Sequence, residues 1–105
     1  MHALDKDSFQ KEVLDAQGLV LVDYWSETCA PCKALMPEME ALESIYGDSV
    51  SFTKLNIAGA RRLAISQKVL GLPTIILYRD GEKVGELTGG NVTRETVEAM
   101  IQEHL

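Results

Sequence analysis

The chain has 105 residues, 46% of them hydrophobic and 25% charged, and carries a formal net charge of −6 at pH 7. That length and balance suit one soluble domain spanning residues 1–105 with a single real core, and leave little room for a second. An acidic chain is a poor match for nucleic acid or an anionic membrane, which both attract basic faces, and no run approaches the ~20 apolar residues of a membrane span.

The opening "MHALDKDSFQKEVLD" has neither the basic start nor the apolar run of a signal peptide, so a cytoplasmic protein is expected. In chain order, His2–Leu4 reads as a short extended start. "DKDSFQKEVLDA" sets Phe9, Val13, Leu14 and Ala16 on one helical face, ended by Gly18. "LVLVDYW" (Leu19–Trp25) is a continuous apolar run with one charge inside, the pattern of a strand buried on both faces. A long helix is predicted from about Ala30 to Tyr46, closed by Gly47; Pro37 inside it removes one backbone bond and should kink it. Val50–Ile57 reads as another central strand, and "AGARRLAISQKVL" as a helix ended by Gly71. "TIILYRDGEKVGEL" is a hairpin with Asp80-Gly81 as its turn. "TRETVEAMIQEHL" is a last helix, with Thr93 and Thr96 as caps and Val97, Met100 and Ile101 on one stripe.

The order is β-α-β-α-β-α-β-β-α, with no linker, repeat or low-complexity tract. Helices between the early strands imply crossovers and parallel pairing, and the closing hairpin adds an antiparallel pair. The expected class is α/β: a mixed central sheet of about five strands flanked by about four helices on both faces.

Cys29 and Cys32 are the only cysteines and sit at the strand-to-helix junction. In a reducing compartment two cysteines point to catalysis or metal binding before a permanent staple. Across the first turn of a helix, an i, i+3 spacing brings two sulfurs within bonding reach. Pro31 suits that turn, where its missing N–H costs nothing. Free amides and the helix dipole favour negative charge at a helix start, so Cys29 is expected to be the thiolate-rich, reactive sulfur. Cys32, one turn in, should be more buried and resolve. Two plainer readings stand beside this one. A CxxC can be half a zinc site, but the other obvious ligands, His2 and His104, lie at opposite chain ends. Two unreactive core cysteines are the other reading; against it stands the junction itself, where α/β sheets meet ligands. Asp23, inside the apolar run, incurs a desolvation cost unless paired or protonated, so its pKa should be raised. An ion pair with Lys54, in the other central strand, is the alternative.

"LVDYWSETCAPCK", then Pro37, then "KLNI", then "GLPTIILYRDG" form an ordered set along nearly the whole chain, and with it the chain resembles the thioredoxin family. The resemblance implies the thioredoxin fold and reduction of protein disulfides, with Cys29 as nucleophile and Cys32 as resolving thiol. It makes Asp23 the proton relay for Cys32 and Lys54 that aspartate's partner, against the plainer reading of a snorkelling lysine. Pro73 matches a cis-proline facing the cysteines, which presents the backbone of Leu72 for strand-like pairing with a substrate. Gly89 matches a glycine that admits substrate, or is a plain turn residue. Trp25 matches a tryptophan packed under the active-site loop, or is a core aromatic. Substrate would dock along Ala30, Pro31, Leu72, Pro73 and Gly89.

The chain departs from the family at two positions. Thr28 stands where a second tryptophan is usual and removes an exposed aromatic that would touch partners; Ala30 stands where a glycine is usual, stiffens the loop modestly and fits helix geometry better; Pro31 is kept. The expectation is a monomeric reductant with altered partner preference and no cofactor. With no nucleotide or flavin motif in the chain, a separate thioredoxin reductase must return its electrons. An oxidant or isomerase of the same fold is weighed against by Ala-Pro between the cysteines and by the absent signal peptide. A binding module is weighed against by both cysteines and Asp23.

Overall fold

The computed structural model describes residues 1–105. Five strands, β1 (His2–Leu4), β2 (Leu19–Trp25), β3 (Val50–Asn56), β4 (Thr74–Arg79) and β5 (Glu82–Thr88), form one sheet in the order β1-β3-β2-β4-β5. β3 pairs parallel with β1 and β2, whereas β4 pairs antiparallel with β2 and β5. β2, the most continuous apolar run, takes the centre, where a strand is covered on both faces and hydrogen-bonded on both edges.

Alternation along β2 divides the core into two layers. Leu21 joins Val50, Phe52, Ile75 and Leu77 beneath helices α1 (Ala30–Tyr46) and α3 (Arg94–His104). Val20, Val22 and Tyr24 join Leu55, Ile76 and Tyr78 on the other face, beneath a π-type turn at Gln10–Leu14 and helix α2 (Arg61–Ser66). The expected mixed sheet with helices on both faces is the observed one. No helix is long and apolar enough to cross a membrane.

Two helices are shorter than their patterns predict. In "DKDSFQKEVLDA" the Asp5 carboxylate takes the amides of Asp7 and Ser8, which fixes a turn and delays the helix. Only Gln10–Leu14 is then helical, closed by the Asp15 amide on the Gln10 carbonyl. In "AGARRLAISQKVL" only Arg61–Ser66 is α-helical, after a 3-10 turn at Ile57–Gly59. Lys68 takes φ 63° and the Val69 amide returns to the Ala64 carbonyl, so the helix stops well before Gly71. β3 likewise stops at Asn56, whose side chain accepts the Ala58 amide and starts the 3-10 turn at Ile57.

The other boundaries follow their local chemistry. Thr93 and Thr96 exchange hydrogen bonds in a capping box at the start of α3. α1 runs through Pro37 as one helix and ends at Gly47, which keeps right-handed angles. Asp80 and Gly81 both have positive φ, the geometry a two-residue hairpin requires. A Cβ on Gly81 would sit 2.1 Å from the Leu14 carbonyl oxygen, so the hairpin also needs glycine for close approach to the Gln10–Leu14 turn.

Candidate active site

The sheet brings three segments to one end. β2 finishes at Trp25, which pairs with Asn56 at the end of β3. Tyr24 pairs with Thr74 at the start of β4, and Thr74 pairs with Thr88 at the end of β5. The cysteine loop after Trp25, the Gly71–Pro73 segment before Thr74 and Gly89 after Thr88 therefore share an edge of the sheet.

Cys29 and Cys32 are joined as a disulfide with Cα atoms 5.3 Å apart. Cys29 is the N-cap of α1 in an extended conformation, and its Sγ accepts the Cys32 amide at 3.2 Å. Pro31 falls in the first turn, as predicted, and costs no intrahelical bond there. Cys29 is half-buried and Cys32 fully buried, so one residue of the pair is reachable from outside and the other is not. Thr28, Ala30 and Pro31 are exposed around them. Of the zinc alternative's other ligands, His2 Nε2 lies 2.8 Å from Glu12, and His104 Nδ1 lies 2.8 Å from the Met100 carbonyl.

Asp23 has no exposed surface, and neither carboxylate oxygen has a hydrogen-bond partner. It is paired in register with Lys54 on one side and Ile75 on the other, so all three project to the face covered by α1. That helix's first turn carries the buried Cys32. Burial pushes the Asp23 pKa up to about 7, and the Lys54 cation opposes the shift without cancelling it. The alternative ion pair is not made: no lysine, arginine or histidine nitrogen lies within 4.0 Å of the Asp23 carboxylate. Lys54 Nζ instead lies 5.9 Å from the ring centre of half-buried Trp25, a cation–π arrangement. The Trp25 Nε1–H is itself buried without a partner.

The Leu72–Pro73 bond is cis; Leu72 is half-buried and Pro73 buried. The Gly89 amide donates to the Pro73 carbonyl at 2.8 Å. Gly89 has φ 61°, which favours glycine, and a Cβ there would meet nothing within 4 Å, so the space before it is open.

Two hydroxyls at this edge are missing from the sequence reading. Thr74 donates to the Gly71 carbonyl at 2.7 Å and lies 2.9 Å from the Thr88 hydroxyl, which clamps the Gly71–Pro73 turn to β5. "LPT" hints at the first. The second needs the β4–β5 register, and an irregularity between Leu77 and Tyr78 hides that register from simple counting.

Residues 1–103 match the family model described as Thioredoxin. The chain is 56% identical over its full length to a thioredoxin of Acetoanaerobium sticklandii, covering all of that protein. It is 59% identical to a thioredoxin of Peptoclostridium acidaminophilum over 97% of this chain and 93% of the relative. It is 33% identical to thioredoxin C-2 of Corynebacterium nephridii over 94% of this chain and 91% of the relative.

Proposed function

Since the chain belongs to the thioredoxin family and is a dithiol–disulfide oxidoreductase acting through Cys29 and Cys32, we propose the following division of labour at its site. In the reduced protein the Cys29 thiolate attacks one sulfur of a protein disulfide, forming a mixed disulfide and releasing the first substrate thiolate. Cys32 gives its proton to Asp23 and attacks Cys29 Sγ. The intramolecular disulfide closes and the second substrate thiolate leaves. Two electrons pass to the substrate, whose two thiolates take up the protons surrendered by Cys29 and Cys32.

The observation that carries the direction of attack is the contrast between half-buried Cys29 at the helix N-cap and fully buried Cys32. The Cys32 amide directed at Cys29 Sγ supports a stabilised thiolate there. A carboxyl near pKa 7 supports the relay role for Asp23, because a general base works best near the ambient pH. Lys54 tunes that carboxyl through its charge. Trp25, Thr28, Ala30, Pro31, Leu72, Pro73 and Gly89 form the substrate rim, with the Leu72 backbone pairing to the substrate.

Disulfide substrates and a reductase are the partners the family implies in general. The finer reading is a cytoplasmic monomer, one domain over residues 1–105, regenerated by a thioredoxin reductase and holding no cofactor. The test is the reduction potential of the pair, measured by equilibration in defined thiol buffers. A value near ~−270 mV, the general figure for thioredoxin rather than one derived from this geometry, marks a reductant. A value near ~−180 or ~−120 mV would transfer the chain to the isomerase or oxidant class.

A further inference from the structure

We propose that the outer face of α2, with Arg61, Arg62 and Ile65, continued by Leu70, docks a segment of the disulfide-bearing substrate protein that carries acidic residues around an apolar side chain. The inference rests on the disulfide-reductase reading and adds a substrate class to it.

The face is built from charges that the rest of the chain leaves unneutralised. Lys6, Arg61 and Arg62 line one concavity of about 320 Å³ together with Leu63, and no carboxylate lines it. None of the three cations is in an ion pair, whereas Lys83 and Arg94 are paired with Glu86 and Glu38. Asp5 and Asp7 border the neighbouring concavity beside Lys6, but the Asp5 carboxylate is turned onto the amides of Asp7 and Ser8. In a chain of net charge −6, this is a local reversal of sign.

The same segment carries two of the four exposed large hydrophobic residues, Ile65 at 62% and Leu70 at 88%. Ile65 stands three and four residues after Arg62 and Arg61, which puts the three on one helical face, while Leu63 and Ala64 turn into the core. The left-handed Lys68 then sends Val69 inward and leaves Leu70 outside, two residues before Leu72-Pro73. The chain therefore runs from this face directly into the Leu72–Pro73 segment of the site. Its upstream end, the turn at Ile57–Gly59, follows Asn56, the register partner of Trp25.

An acidic polypeptide is repelled by the net charge of the chain and attracted by this cluster of cations, so charge favours both the partner and its approach. Thr28 brings no large apolar side chain to the cysteine rim, whereas Ile65 and Leu70 expose two on this segment.

The test uses the pre-reduced full chain in single-turnover acid-quench reactions with two synthetic peptides of one internal disulfide each. One peptide carries a Glu-rich arm around a leucine, the other a Lys-rich arm around a leucine. The expected result is roughly tenfold faster reduction of the acidic peptide at about 20 mM salt, a gap that closes at about 0.5 M. Arg61→Gln with Arg62→Gln should abolish the gap at low salt and leave reduction of neutral bis(2-hydroxyethyl) disulfide unchanged. Both arginines are exposed and unpaired, so the variant keeps its fold. Replacing the arm's leucine by serine should slow wild type but not Ile65→Ser with Leu70→Ser. Equal rates for the two peptides, or a preference that survives the double arginine variant, would overturn the proposal. A wild-type protein that leaves bis(2-hydroxyethyl) disulfide oxidised would instead contradict the reductase reading beneath it.

Discussion

Asp23 and Tyr24 are consecutive residues of the central strand, both without exposed surface, and they project to opposite faces of the sheet. Beneath one face, Tyr24 donates to the Tyr78 hydroxyl at 2.7 Å, and Tyr78 donates to Gln67 Oε1 at 2.8 Å. Every hydroxyl in that chain has a partner. Burial and the hydrogen bond to Tyr78 raise the Tyr24 pKa far above the usual phenol range, so the group stays neutral. Beneath the other face, Asp23 has neither a hydrogen bond nor a contact ion pair. A satisfied polar group stabilises a core, whereas an unsatisfied carboxyl destabilises it once ionised. The difference separates a structural network from a group held at the edge of ionisation on the sheet face that α1, the helix of Cys32, covers.

The largest expected effect is on stability. The Asp23 pKa in the folded protein lies near 7, above its unfolded value near 3.8. Because the folded pKa is raised, the native state keeps a proton that the unfolded chain has lost. Stability from this group is full below about pH 4, falls as pH rises through 7, and is flat beyond. A difference of about three pH units at 1.36 kcal/mol each gives roughly 4 kcal/mol. Asp23→Asn should therefore gain that much over wild type between pH 4 and pH 8.5, measured by urea unfolding of the oxidised forms. A constant difference across that range would break the contrast with Tyr24.

On the satisfied side the effects are smaller and pH-independent. Tyr78→Phe strands both the Tyr24 hydroxyl and Gln67 Oε1 and should cost about 2 kcal/mol by urea unfolding. Tyr24→Phe removes one end of the chain and should cost about 1 kcal/mol. Neither should alter the pH dependence of disulfide reduction. The smallest change is Lys54→Met, which removes the one charge opposing burial at Asp23. NMR titration of the Asp23 carboxyl should then show its midpoint moving above that of wild type.

This contrast was partly legible in the sequence. A single carboxylate within "LVLVDYW" announces a buried charge whatever the tertiary structure. Period-2 alternation along β2 also sends Asp23 and Tyr24 to opposite faces, and the helix on either face then decides each residue's neighbours. Whether Lys54 closes an ion pair was not legible, because a long flexible side chain is placed by what lies beside it, here the Trp25 ring. Nor was the end of α2, since a lysine at positive φ leaves no glycine signal. Cys29 and Cys32 were the most readable part, because their spacing and Pro31 are local and the N-cap geometry follows from both. The Thr74–Thr88 clamp was the least readable, since it joins residues through a strand register that the sequence does not print.

The most direct test of the relay is the pH profile of single-turnover disulfide reduction by pre-reduced wild type and Asp23→Asn, followed at the step that closes the Cys29–Cys32 bond. An inflection near pH 7 is expected in wild type and should disappear in Asp23→Asn, with closure slowed by roughly 10²-fold at neutral pH, the low end of general-base effects. An unchanged profile and rate in the variant would contradict the relay and leave Asp23 as a buried carboxyl with no part in the chemistry.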